Sequence, residues 1–242
     1  MKILITGANS GIGFLTGCVL TERNHEVTFT CKTPKEVEVV KEKLRKLGLK
    51  AKALKLDITN KKDQTIIDTL DLDVLFLHAG IGYSGLLKDI DIDLVRENFN
   101  VNFFANLEII QNFLKNTSKP KKIVLTSSLL ASHPYPYFGS YILSKTCAEL
   151  MMKILKNESI LSEDEFILIK PGAYHTGFNQ FLVLSGEKSK VPPHIISFLN
   201  NIFLLVEEKS LNSIVEKIVI AIEKGTKLKY SAPFFQKLFL DY

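Results

Sequence analysis

Residues 2–22 read KILITGANSGIGFLTGCVLTE. An apolar, strand-like run at residues 2–6 passes at once into Gly7-Ala8-Asn9-Ser10-Gly11-Ile12-Gly13. After it Phe14, Leu15, Cys18, Val19 and Leu20 recur at helical intervals. The pattern is a strand, a glycine turn and a helix. Glycines permit a tight turn and let backbone N–H groups approach a pyrophosphate, which the positive end of the helix also favours. The spacing is Gly-x-x-x-Gly-x-Gly, not the commoner Gly-x-Gly-x-x-Gly, and no Gly-Lys-Ser/Thr follows, which disfavours a nucleoside-triphosphate loop.

The same alternation continues along the chain. Short apolar strands are expected at residues 26–30, 51–56, 74–77, 122–125 and 166–169, with a further short run near 227–230. Between them the spacing predicts helices over about 34–47 and 61–70, a helix running through Phe99, Phe103, Leu107 and Ile110, and one from Tyr141 to about Asn157. A last helix is expected over 211–223, stopped by Gly225. Strands alternating with helices argue an α/β fold: a doubly wound parallel sheet of about seven strands with helices on both faces, in one domain over residues 1–242. Residues 176–206, interrupted by 186–190 and by Pro192-Pro193, carry no sheet pattern. They fit an active-site lid or substrate-binding insertion, and equally a surface loop with packed helices. In such sheets ligands sit outside the carboxyl ends of the strands, where Thr6-Gly7, Asp57, His78-Ala79-Gly80 and Ser128 all fall.

Composition narrows the class. Of 242 residues 46% are apolar, enough for a sizeable core. The net charge of +5 comes from scattered lysines, and the densest run, residues 41–55, alternates with leucines as a solvated helix face does. That argues against a nucleic-acid partner. Three separated cysteines in apolar contexts read as buried thiols of a reducing compartment, and no histidine spacing suits a metal. The apolar start breaks at Thr6-Gly7 and no window approaches the ~18 apolar residues of a membrane span. A soluble cytoplasmic protein without stable membrane insertion is expected.

The chemistry gathers at residues 126–145, TSSLLASHPYPYFGSYILSK. Tyr141 and Lys145 lie four apart at a helix start, hence on one face, one turn from each other. A phenol titrates near pH ~10 alone, and an adjacent ammonium favours the phenolate. Ser128, thirteen residues before the tyrosine at a strand end, can hydrogen-bond the oxygen that the phenol protonates. Such a trio is a proton donor, a tuner of its pKa and a polariser of a carbonyl or alcohol.

With these residues assembled, the chain resembles the short-chain dehydrogenase/reductase family over nearly its whole length. The family's Thr-Gly-x-x-x-Gly-x-Gly matches Thr6 to Gly13. Its aspartate after the third strand matches Asp57, followed by Ile58, and its Asn-Asn-Ala-Gly appears as Leu77-His78-Ala79-Gly80. Its catalytic asparagine matches Asn102, its serine, tyrosine and lysine match Ser128, Tyr141 and Lys145, and its Pro-Gly-x-x-x-Thr matches Pro171, Gly172 and Thr176. The resemblance implies a single-domain Rossmann-like fold. It also implies a nicotinamide cofactor held by Gly7, Asn9, Ser10, Gly11, Ile12, Gly13, Lys32, Asp57, Ile58, the 78–80 turn, Tyr141, Lys145, Pro171, Gly172 and Thr176, with no metal. In the implied mechanism Tyr141 is the general acid or base, Lys145 lowers its pKa and holds the ribose, Ser128 polarises the substrate oxygen, and Asn102 supports a proton-relaying water chain. His78 departs from the pattern, where an asparagine steadies the sheet, and so does Ala105, where glycine is frequent.

At the end of the second strand no acid is present to meet a ribose 2′-hydroxyl, and Lys32 suits a 2′-phosphate, so NADPH is expected over NADH. The substrate pocket is expected to draw Leu129, Leu130, His133, Pro134 and Tyr135 from one side. Tyr137, Phe138, Tyr174, Phe178 and Phe181 complete it, for an uncharged, fairly hydrophobic carbonyl or alcohol. His133 and His175 could each touch substrate, although a lone histidine is more often a spectator, and the apolar run at 233–240 reads as docking on the protein's own core or a neighbouring subunit. The resemblance implies a homodimer or homotetramer. A non-catalytic NADP(H)-sensing module, or an epimerase or dehydratase of nucleotide-linked sugars, uses the same fold.

Overall fold

Alternation along the first strand sets the two faces of the molecule. Ile3 and Ile5 pack into one apolar cluster with Phe29, Val40 and Ile218, while Leu4 enters another with Leu75, Ile109 and Leu125. Side chains that alternate by twos and are apolar on both sides belong to a sheet covered on both faces. The computed structural model describes residues 1–115, 121–159 and 165–225. Its strands are β1 (Lys2–Ile5), β2 (Glu26–Cys31), β3 (Lys52–Lys55), β4 (Val74–Leu77), β5 (Lys122–Thr126) and β6 (Glu165–Ile169). All pair in parallel in the order β3-β2-β1-β4-β5-β6. The described sheet thus has six strands, not about seven; the run near 227–230 and the apolar stretch at 233–240 lie outside the described residues.

The helices are α1 (Gly11–Glu22), α2 (Pro34–Lys46), α3 (Lys61–Gln64), α4 (Ile92–Phe99), α5 (Ala105–Lys115), α6 (Gly139–Glu158), α7 (Phe178–Leu184), α8 (Pro193–Val206) and α9 (Asn212–Lys224). Helices α1, α2 and α9 cover one face, and α5 and α6 the other. A third cluster joins α7 and α8 to the start of α6 through Leu182, Val183, Ile196, Phe203, Phe138 and Tyr141. Residues 176–206 are therefore a helical pair packed against the start of α6. Local chemistry explains several boundaries. Thr33 and Glu36 form a reciprocal cap at α2: Thr33 Oγ1 accepts from the Glu36 amide at 3.2 Å and Glu36 Oε2 accepts from the Thr33 amide at 2.9 Å. Gly225, at φ 66°, ends α9 in the left-handed conformation.

Two elements differ from the expectation. The helix predicted over 61–70 stops at Gln64 and gives way to a 3₁₀ turn at Ile67–Thr69. Thr65 and Thr69 turn their hydroxyls back on the Lys62 and Ile66 carbonyls, at 2.8 and 2.7 Å, a local bond that competes with helical continuation. The helix predicted through Phe99 and Phe103 is continuous but widens into a π turn at Asn100–Phe104, which carries Asn102. Such turns recur at functional sites, and nothing in the residue pattern announces this one.

Helix α1 seats on the sheet because Gly17 leaves its place to the Phe29 ring, which a Cβ there would strike. Replacing an interior helical glycine by alanine ordinarily stabilises by about 1 kcal/mol. Here overpacking against a fully buried ring costs about 1–3 kcal/mol and wins. Gly17→Ala is expected to lower the urea midpoint and Phe29→Leu in the same chain to recover part of the loss. A Gly17→Ala protein as stable as wild type, or strictly additive effects, refutes this packing.

Candidate active site

The strand order reverses between β1 and β4, so the segments leaving their carboxyl ends diverge and a crevice opens there. Gly7 follows β1 at φ +64°, and a Cβ on it would stand 2.7 Å from the Ala79 Cα beyond β4. Only glycine meets both demands at once. Thr6 Oγ1 ties the two segments by accepting from the His78 and Ala79 amides at 3.0 Å each. Ser10 precedes α1 in extended conformation without a side-chain cap, and the first turn of α1 contains no acidic residue. Its amides are therefore free for an anion.

A cleft of about 600 Å³ runs along this rim. It is lined by Gly7, Asn9, Ser10, Gly11 and Ile12 from the glycine turn, by Lys32, Asp57 and Ile58 at one end, and by His78, Ala79 and Gly80 above β4. Ser128, Tyr141, Lys145, Pro171, Gly172 and Thr176 line it too. Gly13 and Asn102 stand behind the wall. Gly13 makes room for His78, whose ring carbon a Cβ would meet at 2.5 Å. A nicotinamide dinucleotide fits these residues: an uncapped helix start for its pyrophosphate, a glycine cradle that side chains would fill, and Lys32 at the end opposite Tyr141.

Tyr141 and Lys145 open the buried face of α6, each 4% exposed. Burial pushes the Tyr141 phenol up to about 12, opposed by a hydrogen bond to Ser128. Lys145 is expected from the sequence to lower this pKa; burial is the larger influence here, and the opposing bond comes from Ser128. The ammonium instead donates to the Thr126 carbonyl at 2.9 Å and lies 6.0 Å from the Tyr141 ring centre. Burial brings Lys145 down to about 8, while the Glu149 carboxylate one turn further favours its cation. His78 accepts or donates at Thr126 Oγ1, 3.0 Å from Nδ1; burial first, then the charge of Lys145, brings it down to about 4. It is a neutral linker between β4 and β5, occupying the place where the family's asparagine steadies the sheet.

Asn102 acts through the main chain. Its Oδ1 accepts from the Ile81 amide at 3.0 Å, and its Nδ2 donates to the Ile81 carbonyl at 2.8 Å and to Ser144 Oγ at 2.9 Å. With both Nδ2 hydrogens used, the side chain clamps the turn after β4 against α6. Gly80 brings that turn so close that a Cβ would stand 3.0 Å from Lys145 Nζ and 3.1 Å from Asn102 Oδ1.

Residues outside the sequence expectation also matter. Glu149 is buried, accepts from Ser127 Oγ at 2.6 Å and pairs with Lys170 at 3.1 Å, tying α6 to the ends of β5 and β6. Extending the Tyr141–Lys145 spacing by one more turn reaches it. Glu207 is a buried carboxylate that gathers His175 Nδ1 at 2.9 Å, Asn179 Nδ2 at 2.8 Å and Gln180 Nε2 at 2.9 and 3.0 Å, so it holds the start of α7. No sequence signal marks it. Glu36, besides its cap, accepts from Asn9 Nδ2 at 3.0 Å and so steadies the glycine turn. Of the expected substrate-pocket residues, Tyr174, Phe178 and Phe181 line this cleft, and Leu130 lines it together with a second, apolar cleft. Leu129, Tyr135 and Phe138 line the second only; His133, Pro134 and Tyr137 line neither. His175 faces Glu207, not the cleft. Cys18 and Cys31 are buried thiols pushed up to about 11 by burial, whereas Cys147 is only half-buried. No helix among the described residues is long and apolar enough to cross a membrane.

Comparison with known proteins agrees with this geometry. A family model described as short chain dehydrogenase matches residues 1–184. The chain is 30% identical to a 3-ketodihydrosphingosine reductase of Bacteroides thetaiotaomicron, over 98% of this chain and 87% of that protein. In fold it is similar to a short-chain dehydrogenase/reductase from Burkholderia phymatum in complex with NAD, at TM-score 0.79 and 18% identity, over 92% of this chain and 86% of the other. It is similar also to an alcohol dehydrogenase from Thermococcus sibiricus complexed with 5-hydroxy-NADP, at TM-score 0.73 and 20% identity, over 96% and 99%.

The buried ammonium has a thermodynamic consequence. A lysine held at about 8 instead of 10.5 binds its proton less firmly folded than unfolded, so its penalty is complete below pH 8 and fades as pH rises to about 10.5. Lys145→Met removes up to about 3 kcal/mol of that penalty at pH 7, less about 1 kcal/mol for the Thr126 carbonyl left without its donor. We expect the variant to be more stable than wild type to denaturant at pH 7 and to lose the advantage at pH 10. Equal or lower stability at pH 7 contradicts a buried, charged Lys145.

Proposed function

The chain belongs to the short-chain dehydrogenase/reductase family of oxidoreductases, and from that premise we propose that it reduces the carbonyl of an uncharged, fairly hydrophobic ketone or aldehyde at the expense of NADPH. The observation that carries this is the convergence of Tyr141, Ser128 and Lys145 on one rim of a cleft whose far end is Lys32. A bound nicotinamide cofactor supplies the hydride. Tyr141 gives its proton to the substrate oxygen, which Ser128 holds and polarises. Lys145, on the same helix face, keeps a positive charge 6.0 Å from the centre of the phenol ring and would hold a ribose hydroxyl of the bound cofactor. Asn102 is a positioning residue, fixing the turn after β4 through Ile81. A phenol pushed up to about 12 is protonated at neutral pH, the form in which it can act as the acid of the proposed reduction. The likeness to a ketone reductase of Bacteroides supports the same direction.

NADPH over NADH rests on Lys32, an exposed ammonium lining the cleft 4.0 Å from Asp57, with no acid at the end of β2. We assign the whole chain to one cofactor-binding and catalytic domain in which residues 176–206 act as the substrate lid, since Thr176, Phe178, Asn179 and Phe181 line the cleft. Phe104, Leu143, Leu150 and Ile154 leave apolar area exposed along the π turn and α6. That face suits a homodimer or homotetramer.

Two measurements test this. With a carbonyl panel and NADPH absorbance, Tyr141→Phe is expected to lower kcat by about 10²–10⁴-fold and leave NADPH affinity within a few-fold; equal turnover by the two proteins removes the phenol from the mechanism. NADPH is expected to bind at least tenfold more tightly than NADH, with Lys32→Asp cancelling or inverting the preference. A wild-type preference for NADH defeats the NADPH assignment.

A further inference from the structure

The turn that follows β4 touches the Tyr141 ring on its way to α4. A Cβ on Gly82 would stand 3.0 Å from Tyr141 Cδ2, so the ring lies on bare backbone there. Phe178 of α7 meets the same ring, with ring centres 5.6 Å apart. The residues on either side of Gly82 are both tied by their carbonyls. Asn102 Nδ2 donates to the Ile81 carbonyl at 2.8 Å. Ser140 Oγ donates to the Tyr83 carbonyl at 3.0 Å and accepts from Asn98 Nδ2 at 2.8 Å. The two ties repeat at one interval. Asn98 and Asn102 lie four apart along α4 and the π turn, their partners Ser140 and Ser144 lie four apart on α6, and Tyr141 stands between the serines. Glu97, beside Asn98, accepts from the Tyr83 hydroxyl at 2.9 Å, so Tyr83 is held at its hydroxyl as well as at its carbonyl.

Asn98 and Ser140 are fully buried, and Asn98 lines neither cleft. Asn98 Oδ1 finds no donor among the described residues. A buried acceptor without a donor costs stability, a cost that an apolar side chain of similar shape avoids. We infer that Asn98 is a positioning residue for the proposed acid. Through Ser140 it fixes the Tyr83 end of the turn, as Asn102 fixes the Ile81 end, and Gly82 between them holds the phenol ring at the rim. The inference rests on the reading of Tyr141 as the acid and adds to it a group that sets the ring's place. That place matters because a proton donor acts only within hydrogen-bond reach of the substrate oxygen, and a misplacement of about 1 Å costs up to ~100-fold in rate.

The test compares full-length Asn98→Leu and Ser140→Ala with wild type, each alone and combined with Tyr141→Phe. Asn98→Leu removes the bond and the unmet acceptor together, and Ser140→Ala removes the same bond from its other partner. Each is expected to lower kcat for a carbonyl substrate at least tenfold while the NADPH dissociation constant stays within about twofold. In the Tyr141→Phe background neither is expected to lower kcat further, because the group they place is gone. An equal loss in both backgrounds, or none in either, overturns the inference. A second readout needs no turnover. With fluorotyrosine incorporated, the Tyr141 fluorine resonance is assigned by its loss in Tyr141→Phe. Both variants are expected to move that resonance and to leave the Tyr174 resonance in place. An unmoved Tyr141 resonance overturns the inference whatever kcat does. A moved resonance in a protein that reduces no carbonyl, or whose kcat is indifferent to Tyr141→Phe, upholds the placement of the ring and rejects the reductase reading.

Discussion

A cation kept out of water beside a phenol is the constraint around which this molecule is arranged. Lys145 is 4% exposed, and removing an ion from water costs several kcal/mol unless partners replace its hydration. The Thr126 carbonyl is one partner. Glu149, one turn along, favours the charge but is buried itself, and so needs Lys170 and Ser127 in turn. These partners stand on three elements: Thr126 and Ser127 at the end of β5, Lys170 after β6 and Glu149 in the middle of α6. The polar chain that keeps the ammonium charged therefore also fixes α6 across the rim of the sheet. The buried face of that helix records the division, with Ser140, Ser144, Lys145 and Glu149 toward its start and Met151 and Met152 further on.

The crevice above that helix depends on backbone proximity more than on side chains. Gly7 and Ala79 approach until no Cβ fits between them, and Thr6 locks the approach with one hydroxyl accepting two amides. Because β1 and β4 are neighbours whose chains then leave in different directions, the approach opens a slot and does not close one. The uncapped start of α1 points its amides into that slot. An anion there replaces a missing cap, so ligand binding and helix termination use the same unmet donors.

Much of this was legible in the residues, for identifiable reasons. Strands buried on both faces leave unbroken apolar runs, and helices leave 3.6-residue spacing, so the order of elements up to β6, and α9 beyond it, could be written down directly. Ser128, Tyr141 and Lys145 were legible because short sequence separation on one helix and one strand end leaves little freedom in space. What escaped was set by contacts distant in sequence. The π turn at Asn102 arises where the chain must bring that side chain to both Ile81 and Ser144, and no local propensity encodes it. Glu207 meets His175, 32 residues earlier, through a fold of two helices that no periodicity predicts. The phenol's pKa escaped for a related reason: spacing shows which groups are near, but burial decides their pKa, and burial here outweighs the Ser128 hydrogen bond.

Those burial effects together set the protons of the site at neutral pH. The phenol, up at about 12, holds its proton; the lysine, down at about 8, still mostly holds its own; His78, down at about 4, is neutral. Such a rim presents Tyr141 as a protonated phenol, the form that a general acid needs. The same burial makes the phenolate costlier than in water by about two pH units, or roughly 3 kcal/mol, whichever way the proton moves.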